Sequence, residues 1–234
     1  MENLTTTTFN AFKLLFTGDK ELWIIVATSF SVSLQAIVIA TPFALLVAFV
    51  LATYRFPGRR VVVMLIHTLQ AFPAVVVGLT VYIVLSRQGP LGDLRLLFTQ
   101  TAMVVGQILL CFPLLVAMTH ATLESSDKRI WETARTLGAS SGRAALTLMY
   151  QLRLPLLVAV IAAFGRIIAE VGSSIMVGGN ILHHTRNIPT AIALETSKGE
   201  YAQGIALGIV LIVLAFAFNA IIHISQQRSQ WAFR

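Results

Sequence analysis

Apolar residues run almost unbroken over five stretches of the chain: Leu22 to Thr53, Val61 to Leu85, Leu96 to His120, Leu152 to Met176 and Ile205 to Ile224. Each reaches or exceeds the ~20 residues an α-helix needs to cross the hydrocarbon core, so the pattern predicts five membrane-spanning helices within a domain over 22–228. Barrel strands would be ~10 residues long and alternate in polarity, which these stretches do not. Ahead of the first stretch, Phe9, Phe12, Leu15 and Phe16 recur at helical spacing while Thr7, Lys13 and Asp19 lie off that stripe. This predicts an amphipathic segment over 1–21 lying on the membrane surface or serving as a plain connecting helix.

The polar stretches between the spans are unequal. Pro57 and Gly58 stop the first span in "YRFPGRR", and "SRQGPLGDLR" joins the second to the third. Between the fourth and fifth, Pro189 starts a short helix over "PTAIALETS". The longest insertion, Ala121 to Gln151, reads as two helices. Ser126 or Asp127 caps the first, whose apolar face is Ile130, Ala134 and Leu137 with Trp131 beside it, and Gly138 ends it in a left-handed conformation. Ser140 or Ser141 caps the second, and Pro155 bends the approach to the fourth span. A helix of about ten residues is marginal alone in water. One exposing Ile130, Trp131 and Leu137 requires cover, which predicts a docking partner.

Composition agrees with the pattern and sharpens it. With 56% hydrophobic and 12% charged residues and a mean hydropathy of +0.81, the chain lies outside the balance of soluble domains. Its start has no basic n-region, compact apolar core or small-residue cleavage site, so no removable signal peptide is expected. Cys111 is the only cysteine and falls within a span, which excludes an intramolecular disulfide and a cysteine zinc site. With the N-terminus outside, the inner segments hold Arg55, Arg59, Arg60, Arg129, Arg135 and further arginines against only Glu124, Asp127 and Glu132, whereas the outer charges balance. The formal net charge of +7 then falls on one side, the cytoplasm, together with the tail over 229–234. Such an excess is the signature of inner loops and calls for no nucleic-acid partner.

The insertion carries a recognisable string. "ETARTLG" places Glu132, Ala134 and Gly138 at the spacing of E-A-A, three residues, Gly, with Thr133 in place of the central alanine. The following I-x-L-P has its counterpart in "LRLP" at 152–155, four residues late and so about one helical turn on. Between the third and fourth of five spans, this resembles the transmembrane permease subunits of ATP-binding-cassette importers. "FPAVVVGL", with Pro73 and Gly78, resembles the molybdate, tungstate and sulfate permeases, and "GRIIAEVGSSIMVGGNI" with "TAIALETSKGEYA" resembles the tungstate group.

The resemblance implies an all-α polytopic membrane protein with the type I importer permease fold of the molybdate and methionine permeases, and alternating access. It implies a homodimer in the inner membrane of a prokaryote, with the translocation path between two copies, an ATPase dimer on the cytoplasmic side and an extracytoplasmic oxyanion-binding protein. Ile130, Trp131, Glu132, Thr133, Ala134, Leu137 and Gly138 are expected to couple to the ATPase. Pro73, Gly78, Arg166, Glu170, Gly172, Ser173 and Ser174 are expected on the pathway or its gate. No cofactor is expected in this chain, ATP and Mg belonging to the ATPase.

The residues carry their own physical reading. Arg166 and Glu170 are four apart, so they share a helical face and can pair. An unpaired charge facing lipid costs at least ~2.5 to 3.5 kcal/mol, so the pair belongs against protein or a water-filled path, as a lock or as a gate. Glu170 repels a dianion and is not assigned as a ligand. Gly172, Ser173 and Ser174 permit close helix packing, expected around a dimer axis, or substrate contact. Gly178, Gly179 and Asn180 end the helix. His183 and His184 lack further ligands at zinc spacing, so no metal site is expected. No P-loop string is present, and no Ser, His and Asp catalytic set can be argued. An intramembrane enzyme built on Glu170 with His183 or His184 is the alternative class, and it leaves the docking helix unexplained.

Overall fold

The structure, a computed structural model, describes residue 13 and residues 18–231, with the side chains of all but 128, 218 and 222–231. The surface segment expected over 1–21 lies almost wholly outside these residues, as does the end of the tail. Among the described residues the regular structure is helical: α1 (Lys20–Thr53), α2 (Arg59–Gln70), α3 (Ala74–Leu85), α4 (Gln100–Glu124), α5 (Lys128–Thr136), α6 (Ser141–Gln151), α7 (Arg153–Ile168), α8 (Gly172–Gly178), α9 (Ile188–Lys198) and α10 (Tyr201–Trp231), with a 3₁₀ turn at Gly92–Leu94.

Helix α1 starts at Asp19, whose Oδ1 accepts the Leu22 amide at 2.8 Å. Ala36, Ala40, Ala44 and Ala48 recur every fourth residue and are all buried. Such a stripe of small side chains lets helices approach closely in a bilayer, and α1 and α4 form the most extensive helix pair among the described residues. The opposite side of α1 leaves Leu34, Val38, Phe43 and Leu46 exposed. Helix α4 is capped by Thr99 and is the central element, touching α1, α2, α3, α7 and α8.

Two of the five expected spans are not continuous helices. The stretch Val61 to Leu85 is broken at residues 71–73, where α2 and α3 meet at 99°. Pro73 has no amide hydrogen to continue α2 and pushes Phe72 out of helical geometry. It caps α3 instead, its carbonyl accepting the Val76 amide at 2.9 Å. The stretch Leu152 to Met176 is broken at residues 169–171, between α7 and α8. The fourth span also begins earlier, since α6 and α7 form a second bent pair, at 71°, just ahead of Pro155. Among the described residues three helices are long and apolar enough to cross a membrane unaided, and up to five spans result when each bent pair counts as one.

Helix α9 is the short helix expected after Pro189. Asn187 accepts the Thr190 amide at 3.1 Å while Thr190 Oγ1 accepts the Asn187 amide at 3.1 Å, a reciprocal cap. Ser29 Oγ of α1 accepts the Ile188 amide and fixes α9 to the first span.

Candidate functional site

The insertion after α4 forms the expected pair of short helices. Asp127 caps α5, accepting the Arg129 amide at 2.9 Å, and Ser140 caps α6. Gly138 has φ +87° with open space around it, the left-handed conformation expected of a glycine stop. The apolar face of α5 is divided, contrary to expectation. Ile130 and Trp131 pack against the membrane core of the same chain, with the Trp131 ring 5.8 Å from that of Phe49. Leu137 is 83% exposed, and Glu132 and Thr133 are exposed beside it, with Ala134 half-buried. The helix is therefore seated on its own chain by two residues, and Leu137 is the apolar side chain left for a partner.

Arg59 ties the turn between α1 and α2 to this end of the molecule. It donates to the Leu51 carbonyl and to Glu124, and lies 3.2 Å from His120 Nε2. Between this network and α5 is a cavity of about 460 Å³ lined by Arg55, Arg59, Glu124, Asp127, Trp131 and Glu132.

The second cluster lies at the break between α7 and α8. Arg166 Nη1 and Glu170 Oε2 are 2.7 Å apart, so the pair expected from their spacing forms. Their surroundings differ: the Arg166 side chain is 58% exposed and that of Glu170 only 9%. Glu170 also does what the sequence reading missed. Its Oε1 accepts the Gly172 amide at 2.9 Å, so the carboxylate meets one of the orphan donors that a new helix start creates. Gly172, Ser173 and Ser174 belong to α8, not to the helix carrying Arg166.

Small residues let α8 lie against α3 of the same chain. A Cβ added to Gly78 would fall 2.7 Å from Ser173 Cα, and one on Gly172 would fall 2.7 Å from Val75 Cγ2. The close approach expected at a dimer axis is thus made within one chain, and it joins Gly78 of α3 to Ser173. Pro73 stands at the start of α3, so the sequence candidates Pro73, Gly78, Gly172 and Ser173 gather on the paired helices α3 and α8. Gln107 of α4 was not foreseen. It is buried and its Nε2 donates at 3.3 Å to the Ile167 carbonyl, which also accepts the Glu170 amide at 3.1 Å, so α4 is tied to the end of α7. A lone glutamine within an apolar span was the available signal.

The other outlying charges gather at the opposite end of the bundle. Arg186 Nη1 lies 3.7 Å from Glu195 and 3.9 Å from Glu21, and Lys198 lies 3.0 Å from the same buried Glu195. His183 and His184 are exposed there, while both oxygens of Glu170 are engaged by Arg166 and Gly172. Among the described residues no group of three His, Cys, Asp or Glu could hold a metal ion.

The fold is that of a multi-span helical membrane protein with a short glycine-stopped helix pair set outside its apolar core. The chain belongs to the family of binding-protein-dependent transport system inner membrane components, whose sequence profile matches residues 20–230. It has the type I permease fold of that family. It is similar to the tungstate uptake system permease protein TupB of Campylobacter jejuni, 40% identical over 219 residues that cover 92% of each chain. It is 38% identical to the TupB of Peptoclostridium acidaminophilum, over 93% of this chain and 95% of that one. The molybdenum transport system permease protein ModB of Escherichia coli is 31% identical over 91% of this chain and 93% of its own.

Proposed function

We propose that the chain is the membrane-spanning subunit of an importer that carries tungstate across the cytoplasmic membrane by alternating access. The carrying observation is the grading of similarity: 40% and 38% identity to permeases of tungstate systems against 31% to one of a molybdenum system. Molybdate and sulfate are the alternative cargoes, because a tetrahedral dianion is selected largely by the extracytoplasmic binding protein. ATP and Mg are bound and used by a separate ATPase dimer that receives α5 and α6. Exposed Leu137, Glu132 and Thr133 support this reading, since nothing among the described residues covers them.

The chain works as a homodimer with its N-terminus outside, its C-terminus inside and the path between two copies. Supporting this, Arg166 lies mid-sequence in a spanning element yet is more than half exposed in one chain. Such a charge needs water or a second protein surface beside it. Motion of α5 on the ATPase reaches the membrane core through Ile130 and Trp131, a rigid-body linkage without chemistry in this chain. Arg166 and Glu170 act at the break between α7 and α8, either as a lock on its packing or as a gate that rearranges.

The test is tungsten accumulation in cells lacking the gene, with and without the chain restored, in the presence of excess molybdate or sulfate. Restored uptake that resists both competitors is expected. Uptake abolished by equimolar molybdate would move the assignment to that anion.

A further inference from the structure

We infer that the outer end of the paired helices α3 and α8 carries an anion-collecting site built on Arg87 and Arg95. The inference rests on the oxyanion-importer reading and adds to it a place on the permease itself where the anion is first held. The turn from α3 to α4 forms a cavity of about 700 Å³ lined by Leu85, Arg87, Gly92, Asp93, Arg95 and Phe98. Neither arginine makes an ion pair among the described residues, and neither does Asp93. Helix α4 runs from Gln100 at this end to Glu124 beside α5, so the cavity lies on the face opposite the docking helix.

The cavity wall is held rigidly. The four non-glycine residues with left-handed φ among those described are Arg95, Phe98, Asn180 and His183, all in the two loops of this end. Backbone strain of this kind persists only where the surroundings over-determine it, and it collects at functional sites. Here Phe98 donates its amide to the Val177 carbonyl at 2.9 Å, and its ring faces Gly179 and the edge of Tyr82. Arg95, three residues earlier, is thereby fixed relative to α8.

Two guanidinium groups without carboxylate partners in one recess suit a tetrahedral dianion, because arginine offers forked donors to paired oxygens. Asp93 in the same recess opposes them and leaves a net single positive charge. The recess is also wide, so the anion is held with its water and the site raises its local concentration rather than binding it dry. From there α3 and α8 lead inward to the break between α7 and α8, where Arg166 of α7 pairs with Glu170. An acidic surface on the binding protein could use the same arginines, but concavity favours a small anion.

The experiment is equilibrium dialysis of sodium tungstate against the full chain in nanodiscs of zwitterionic lipid at low ionic strength, without binding protein, with bound tungsten read by mass spectrometry. Saturable retention that falls with added salt is expected. R87Q/R95Q should weaken it roughly tenfold and D93N should strengthen it severalfold, since all three side chains are exposed and affect the local potential rather than the fold. Equal retention by R87Q/R95Q and the unaltered chain overturns the site. So does normal retention by R87Q/R95Q with lost co-purification of the binding protein, which would make the arginines a protein-docking patch. Arginine-dependent retention of molybdate and sulfate alongside tungstate supports the site, which acts on charge, and the choice of cargo is decided by the uptake competition in cells, so failure of the site and failure of the tungstate reading are separable.

Discussion

Phe98 and Gly179 are locked face to face, both in left-handed backbone: φ is +64° at Phe98 and +69° at Gly179, and a Cβ on the glycine would lie 2.7 Å from Phe98 Cδ1. Gly179→Ala combines a backbone cost of about 1 to 2 kcal/mol with this clash, so a loss of at least about 2 kcal/mol is expected. A fall in thermal midpoint measured by tryptophan-independent scattering checks it. An unchanged midpoint would mean that the outer loops are free to separate.

Leu137→Asp is expected to leave insertion and stability within about 0.5 kcal/mol, because an exposed side chain away from packing contributes little. Co-purification with the ATPase should nevertheless be lost, since the charge enters an apolar contact. Gly138→Leu should act on the same readout through its left-handed backbone. Intact co-purification of both variants would remove α5 from the docking surface.

Orientation is testable by thiol labelling after Cys111, which is buried, is replaced by alanine. Ser141 and Leu182 are exposed at opposite ends of the bundle, so cysteines there report without disturbing the core. Asn187 would be a poor reporter, being buried and engaged in capping α9. Leu182→Cys should label from outside intact cells and Ser141→Cys only after the membrane is opened. The reverse order would invert the topology and the docking assignment with it.

Legibility followed the range of the forces involved. Apolar run length and the caps Asp127, Gly138 and Ser140 act within a few residues, so the spans and the docking pair were readable from the chain. The break at Ala169 to Val171 was not, because "AFGRIIAEVGSSIMVG" contains no proline, and its cause is distributed. Gln107 reaches Ile167 from another helix, and Gly78 lets α8 sit where a continuous helix would not fit. The same limit applies to α5: the heptad-like spacing of Ile130, Ala134 and Leu137 gives a face but does not say that Phe49 occupies half of it. Pro73 was visible as a residue, but Val61 to Leu85 reads as one apolar run, and the size of the turn between α2 and α3, 99°, is not encoded in run length.

The asymmetry of Arg166 and Glu170 gives the sharpest test of whether a water-filled path exists. Arg166→Met strands the buried Glu170 carboxylate, which keeps only the Gly172 amide. The expected loss is about 2 to 3 kcal/mol, below the ~3 to 5 of a fully buried pair because Arg166 is more than half exposed. Glu170→Gln preserves an acceptor for Gly172 and leaves an arginine already in contact with solvent, so below about 1 kcal/mol is expected. The double variant should recover part of the Arg166→Met loss. If instead Arg166 faces lipid, Glu170→Gln would be the costlier change, since it leaves an uncompensated cation in hydrocarbon. Thermal midpoints of the three variants in nanodiscs decide between these outcomes, and tungsten uptake then separates lock from gate. A lock leaves the stabilised double variant transporting, whereas a gate leaves it folded, bound to its ATPase and inactive. Losses that simply add would show that the two residues do not cooperate, and the hinge assignment would fall.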